Sequence, residues 1–92
     1  SVLNAMAMLR KTEADVAGAT ASLEAARANV VKAKVAVLDA KVRLASRLDL
    51  FKEGRIPAEE RDSVQAAHDA NAAVLDASQA QEQAARSSLR AA

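Results

Sequence analysis

The sequence predicts an all-α fold: a long antiparallel two-helix coiled-coil hairpin. Three observations carry this. Large apolar residues recur at every seventh position through Val2, Leu9, Val16, Leu23, Val30, Val37, Leu44 and Phe51. Only one segment, Glu53-Gly54-Arg55-Ile56-Pro57, interrupts helical sequence. Composition is extreme, with 25 alanines, Phe51 as the sole aromatic, two glycines and one proline among 92 residues. Alanine is the best helix former but buries little area, at roughly 25 cal/mol per Å². The chain therefore reads as a single domain, residues 1–92, built as a rod with a thin core.

Helix one is placed at about 2–52. Three residues after each member of the heptad row comes a mostly small partner: Ala5, Thr12, Ala19, Ala26, Ala33, Ala40 and finally Arg47. This alternating three-four spacing commits the helix to bury one stripe against another helix. Gly18 falls outside the stripe and is tolerated at about 1 kcal/mol relative to alanine. Met6 and Met8 read as ordinary helix fillers.

The turn is placed at about 53–57. Gly54 accepts positive φ and closes a helix, with the Lys52 cation suiting the carbonyl end. Pro57 holds Ile56 extended and is compatible with the first turn of a new helix. Glu59, Glu60 and Asp62 then load that helix start with the favourable negative sign. A connection this short makes the two helices antiparallel neighbours.

Helix two is placed at about 58–92. It has its own row, Ser63, Ala66, Ala70, Ala73, Ala77, Ala80, Ala84, Ser87 and Ala91, whose steps alternate strictly between three and four and whose members are all small, which predicts an inward track of small residues. Val64, Val74, Leu75 and Leu89 flank it. A turn centred near Gly54–Arg55 makes residues face each other when their numbers sum to about 110. Leu44 then meets Ala66, Val37 meets Ala73, Val30 meets Ala80 and Leu23 meets Ser87, while Phe51 meets the Glu59–Glu60 turn. Ala92 falls opposite Gly18, so Val2, Leu9 and Val16 continue the stripe without a partner. The expectation is a segment of a longer protein whose second helix continues, or an overhang that packs on another copy.

Charge and motif content narrow the function. Residues 1–52 carry nine Lys/Arg and five Asp/Glu, a net of +4; residues 57–92 carry three and six, a net of −3. Helices of opposite sign attract each other and resist pairing with copies of themselves. The overall net charge of +1 offers no bulk attraction for nucleic acid. The absence of cysteine removes disulfides and thiolate metal sites. No phosphate loop, paired-histidine spacing or nucleophile motif is present. His68 reads as a structural residue beside the alanine stripe, and the Asp62, Asp69, Asp76 row as a solvated face. No enzyme activity, cofactor or metal is expected. Interaction through the sides and tip of the rod remains, and the tip gathers Leu48, Leu50, Phe51 and Ile56 beside Arg47, Lys52 and Arg55. Apolar groups next to guanidinium groups suit protein recognition.

The stretch from Leu44 to Asp62, read with the Ala-rich heptads on either side, resembles the α-helical hairpin of periplasmic membrane fusion (adaptor) proteins. That family includes hemolysin-D-type secretion adaptors and multidrug efflux adaptors. The shared pattern is Leu-(Leu/Phe)-x-x-Gly-x-Ile followed by an acidic helix start, here Leu50-Phe51-Lys52-Glu53-Gly54-Arg55-Ile56 leading into Glu59, Glu60 and Asp62. The family's tip signature is an arginine, a leucine four residues later and a serine after Gly-x-Ile. Leu50 matches the leucine. Ser46 occupies the arginine position with Arg47 one residue later, and Pro57 occupies the serine position.

The resemblance implies a periplasmic location in a Gram-negative bacterium, with the full protein anchored at the inner membrane. It implies a partner-binding tip of Arg47, Leu50, Phe51, Gly54, Arg55 and Ile56, docking on a TolC-like outer-membrane channel. It also implies neighbouring adaptor hairpins in a homo-oligomer, and an inner-membrane transporter reached through the rest of the protein. No nucleic-acid partner is implied. The alternatives are a generic antiparallel coiled-coil interaction module, an RNA-binding arm or a lipid-surface helix. Missing aromatics and the acidic second helix weigh against RNA. A built-in turn weighs against a lipid-surface helix, for which it would be dispensable.

Overall fold

The computed structural model describes residues 1–92 as two helices, α1 (Val2–Lys52) and α2 (Ala58–Ala91), with no strands. They run antiparallel in a rod measuring 79 × 14 × 13 Å. Fifty-one residues at about 1.5 Å per residue account for the whole length, so α1 is the spine and α2 lies along part of it. Ser1 caps α1, its hydroxyl accepting the Asn4 N–H at 3.2 Å. Thr12 and Thr20 satisfy their hydroxyls on the helix itself, donating to the Met8 and Val16 carbonyls at 3.0 and 2.8 Å.

The inward stripe of α1 is the predicted one. Leu23, Ala26, Val30, Ala33 and Ala40 form the buried core, with Val37, Leu44, Arg47 and Phe51 half-buried on the same row. Gly18 faces open space, where an added Cβ would meet nothing within 4 Å. Burial begins at Ala19; residues 1–18, including Val2 and Leu9, are exposed.

The inward stripe of α2 is a correction. Ser63, Ala66, Ala70, Ala73, Ala77, Ala80, Ala84, Ser87 and Ala91 are all exposed. The side facing α1 is instead Arg61, Val64, His68, Asn71, Leu75, Ser78, Glu82, Ala85 and Leu89, each buried or half-buried. The predicted layers Leu44–Ala66, Val37–Ala73, Val30–Ala80 and Leu23–Ser87 therefore do not form the core. Both rows alternate by three and four, so spacing alone does not separate them. Area does: a valine or leucine gains more by leaving water than an alanine, at about 0.8 kcal/mol per methylene. Val64, Leu75 and Leu89 turn their row inward. Its long polar members reach solvent at their tips or bond locally: Glu82 pairs with Arg86 at 3.2 Å, and Asn71 donates to the Ala67 carbonyl at 2.9 Å.

The longitudinal register stays close to the predicted one. Ala33 and Ala36 share a groove wall with Asn71, Val74 and Ser78. Asp39, Ala40 and Arg43 share another with Ser63, Val64, Ala67 and Asn71. Only six residues of 92 are buried, so the hairpin is held by a line of contacts and not by a globular centre.

Candidate functional site: the hairpin tip

α1 ends in a Schellman arrangement that follows from one residue. Gly54 adopts φ +73°, the left-handed region that a Cβ disfavours. This swings the chain back so that the Gly54 N–H donates to the Phe51 carbonyl and the Arg55 N–H to the Leu50 carbonyl, both at 2.9 Å. Two carbonyls that would be orphaned at the helix end are thereby satisfied. Pro57 serves as N-cap of α2 with φ −76° and ψ 160°. It sits one position before the helix, not within its first turn. Its carbonyl accepts the Glu60 and Arg61 N–H groups at 3.2 and 3.3 Å, and no side chain caps the helix. Glu59 and Glu60 in the first turn compensate by placing negative charge at the amide end.

Two contacts tie the helices just below the turn. Arg47 Nε lies 3.2 Å from Glu60 Oε1, an ion pair about half exposed. The Arg61 guanidinium lies over the Phe51 ring, 4.2 Å from its centroid. Phe51 thus delivers the α1 row into a cation–π contact with α2. At the apex, Arg55 meets Glu53 at 3.5 Å.

The structure gathers all six predicted tip residues into one end of the rod. Leu50, Phe51 and Ile56 are half-buried, presenting apolar surface while closing the turn; Leu48 is half-buried beside them. Gly54 and Arg55 are exposed. Arg47 is half-buried near the tip, its guanidinium paired with Glu60. Sequence reasoning did not single out Arg61. The available signal was its place on the first turn of α2, at the level of Phe51, where a guanidinium can cover a ring.

Such a tip can bind through shape, apolar area and guanidinium hydrogen bonds. No helix is long and apolar enough to cross a membrane. No protein-family model, curated protein or solved structure matches the chain.

Proposed function

We propose that the chain is the structural and interaction hairpin of a periplasmic membrane fusion protein, in a tripartite efflux or type I secretion system. Its tip docks on a TolC-like outer-membrane channel, its sides meet neighbouring hairpins, and the rest of the adaptor reaches an inner-membrane transporter. It spans distance and docks, without catalysis. The observation that carries this reading is the tip itself: Leu50, Phe51 and Ile56 beside Arg47 and Arg55, closed by Gly54 at the end of a 79 Å rod. A rod with a thin core and one apolar, guanidinium-rich end suits end-on recognition.

Photocrosslinkers placed at Leu50 and at Arg47 test the reading. The expected result is crosslinking to a candidate outer-membrane channel from both positions, and none from Ala21 midway along α1. A folded hairpin that crosslinks from neither tip position overturns it.

A further inference from the structure

The outward side of α1 carries an exposed apolar stripe that α2 does not cover. Its centre is Val31, Val35, Leu38 and Val42, each between 60% and 69% exposed. The same three-four spacing continues through Ala28 and Ala21 in one direction and Ala45 in the other, broken only by Glu24. All of these residues are exposed. At about 1.5 Å per residue the stripe is roughly 35 Å long, and at about 100° per residue it lies roughly 150° around the helix from the buried row. So α1 is apolar on two opposite sides, and its charges are confined to the flanks between them.

Those flanks are basic. Arg27, Lys34 and Lys41 run along one side of the stripe and Lys32 lies on the other, each roughly 80° from its centre line. None of the four has an ion-pair partner in the chain. Asp39, the one acid on these flanks beside the valines, is already paired with Arg43 at 3.4 Å. The exposed Asp62, Asp69 and Asp76 lie on the outward side of the other helix. The rod therefore has positive charge along the edge that also shows apolar area, and negative charge along the opposite edge. Its two grooves both lie between the helices, lined by residues of α1 and α2 together, so the α1 edge itself is convex.

We propose that the outward edge of α1 is a docking face for an anionic lipid surface, on which the preformed hairpin lies lengthwise with α2 held away from the lipid. The valine-leucine centre enters the boundary between headgroups and acyl chains. The flanking lysines and arginine extend their stems alongside it and place their charges among the lipid phosphates. A convex edge with cations on both flanks fits a broad planar partner. A nucleic acid would answer the cations but would leave the apolar stripe in water. The aspartates on the far edge are repelled by the same surface, which fixes the edge that faces it. The turn has a purpose in this arrangement: it keeps the inward stripe of α1 covered by α2, so that only the outward one is offered. The inference goes beyond the proposed function and does not rest on it; it concerns hairpins whose α1 edge no other copy covers.

Cosedimentation of the full chain with vesicles tests it. The hairpin is expected to be helical by circular dichroism before lipid is added, to bind vesicles of mixed phosphatidylglycerol and phosphatidylcholine, and to ignore phosphatidylcholine alone. Lys34→Gln combined with Lys41→Gln is expected to weaken binding roughly 25-fold, about fivefold for each cation. Val35→Ser combined with Leu38→Ser is expected to weaken it about tenfold, whereas Val74→Ser, at a comparably exposed valine of α2, leaves it unchanged. The chain has no cysteine, so a polarity-sensitive fluorophore can be attached at one site. On vesicles, a label at Val35→Cys is expected to shift to shorter wavelength and one at Ala73→Cys to stay as in water. Absence of binding, helix that forms only with lipid, or equal shifts from both edges overturns the proposal. Full binding by the Val35→Ser, Leu38→Ser variant overturns it as well, since cations alone would then suffice. Crosslinking to a channel from Leu50 and Arg47 reads the tip and vesicle binding reads the α1 edge, so the failure of one leaves the other standing.

Discussion

The two helices bury rows of different chemistry. α1 sends in a clean alternation of large and small apolar residues, from Leu23 and Ala26 through Val30, Ala33 and Ala40. α2 sends in a mixed row, where Val64, Leu75 and Leu89 are interspersed with Arg61, His68, Asn71, Ser78 and Glu82. On α1 the predicted row is the one that goes inward. On α2 two rows step equally by three and four, and the one holding Val64, Leu75 and Leu89 goes inward although it carries charge. In an alanine-rich helix regular spacing discriminates little, because alanine falls into register almost anywhere. Burial is decided by the few residues with area to hide, and by whether their polar neighbours can still reach water.

The largest expected contrast is between a charge placed in the buried α1 row and one placed at an exposed valine of the same helix. Val30→Asp strands a carboxylate in the seam and is expected to destabilise the hairpin by about 3 kcal/mol in urea unfolding. Val35→Asp, at low protein concentration, is expected to stay within about 0.5 kcal/mol of the parent. Equal effects would show that the seam is not where burial places it.

On α2 the corresponding pair is Leu75→Ala and Ala73→Ser. The first is expected to cost about 2 kcal/mol, at the low end for a leucine truncation because Leu75 is only half-buried. The second should be nearly silent in thermal melts followed by circular dichroism. A reversed order would restore the small-residue track as the inward face.

At the turn, Gly54→Ala is expected to cost about 1 kcal/mol. Its Cβ would meet nothing within 4 Å, so the whole penalty is that of the φ +73° backbone. Gly54→Asn should recover part of it, since asparagine tolerates this region better. Chemical denaturation of the two variants side by side checks both the cause and the size.

The smallest effects concern the half-exposed Arg47–Glu60 pair. A double-mutant cycle on Arg47→Ala and Glu60→Ala should return a coupling of about 0.5 kcal/mol. A coupling several times larger would mean that Arg47 holds the helices together more than it faces a partner.

Much of the fold was legible. Gly54 followed by Pro57 set the stop and the restart, because one residue type suits positive φ and the other has no N–H to continue a ladder. The α1 heptad row identified its own buried stripe. The tip residues were legible as a group because turn chemistry and apolar residues meet in one short segment. Less legible was Arg61, whose contact with Phe51 depends on how the two helices are rotated about their axes at the turn. The face of α2 was not legible from regularity, since rows only one or two residues apart both step by three and four.

Two long helices, the single turn between them, the stripe that α1 buries and the level at which the helices face each other were all set locally. Those follow from local rules: alanine propensity, glycine and proline stereochemistry, and the fixed rise per residue. Only the tertiary structure decided the rotation of α2 about its axis. Rotation is set by total apolar area removed from water against the cost of the polar groups carried with it, a sum over both helices that no one segment contains. That one rotation turned an expected core of alanines into an exposed track.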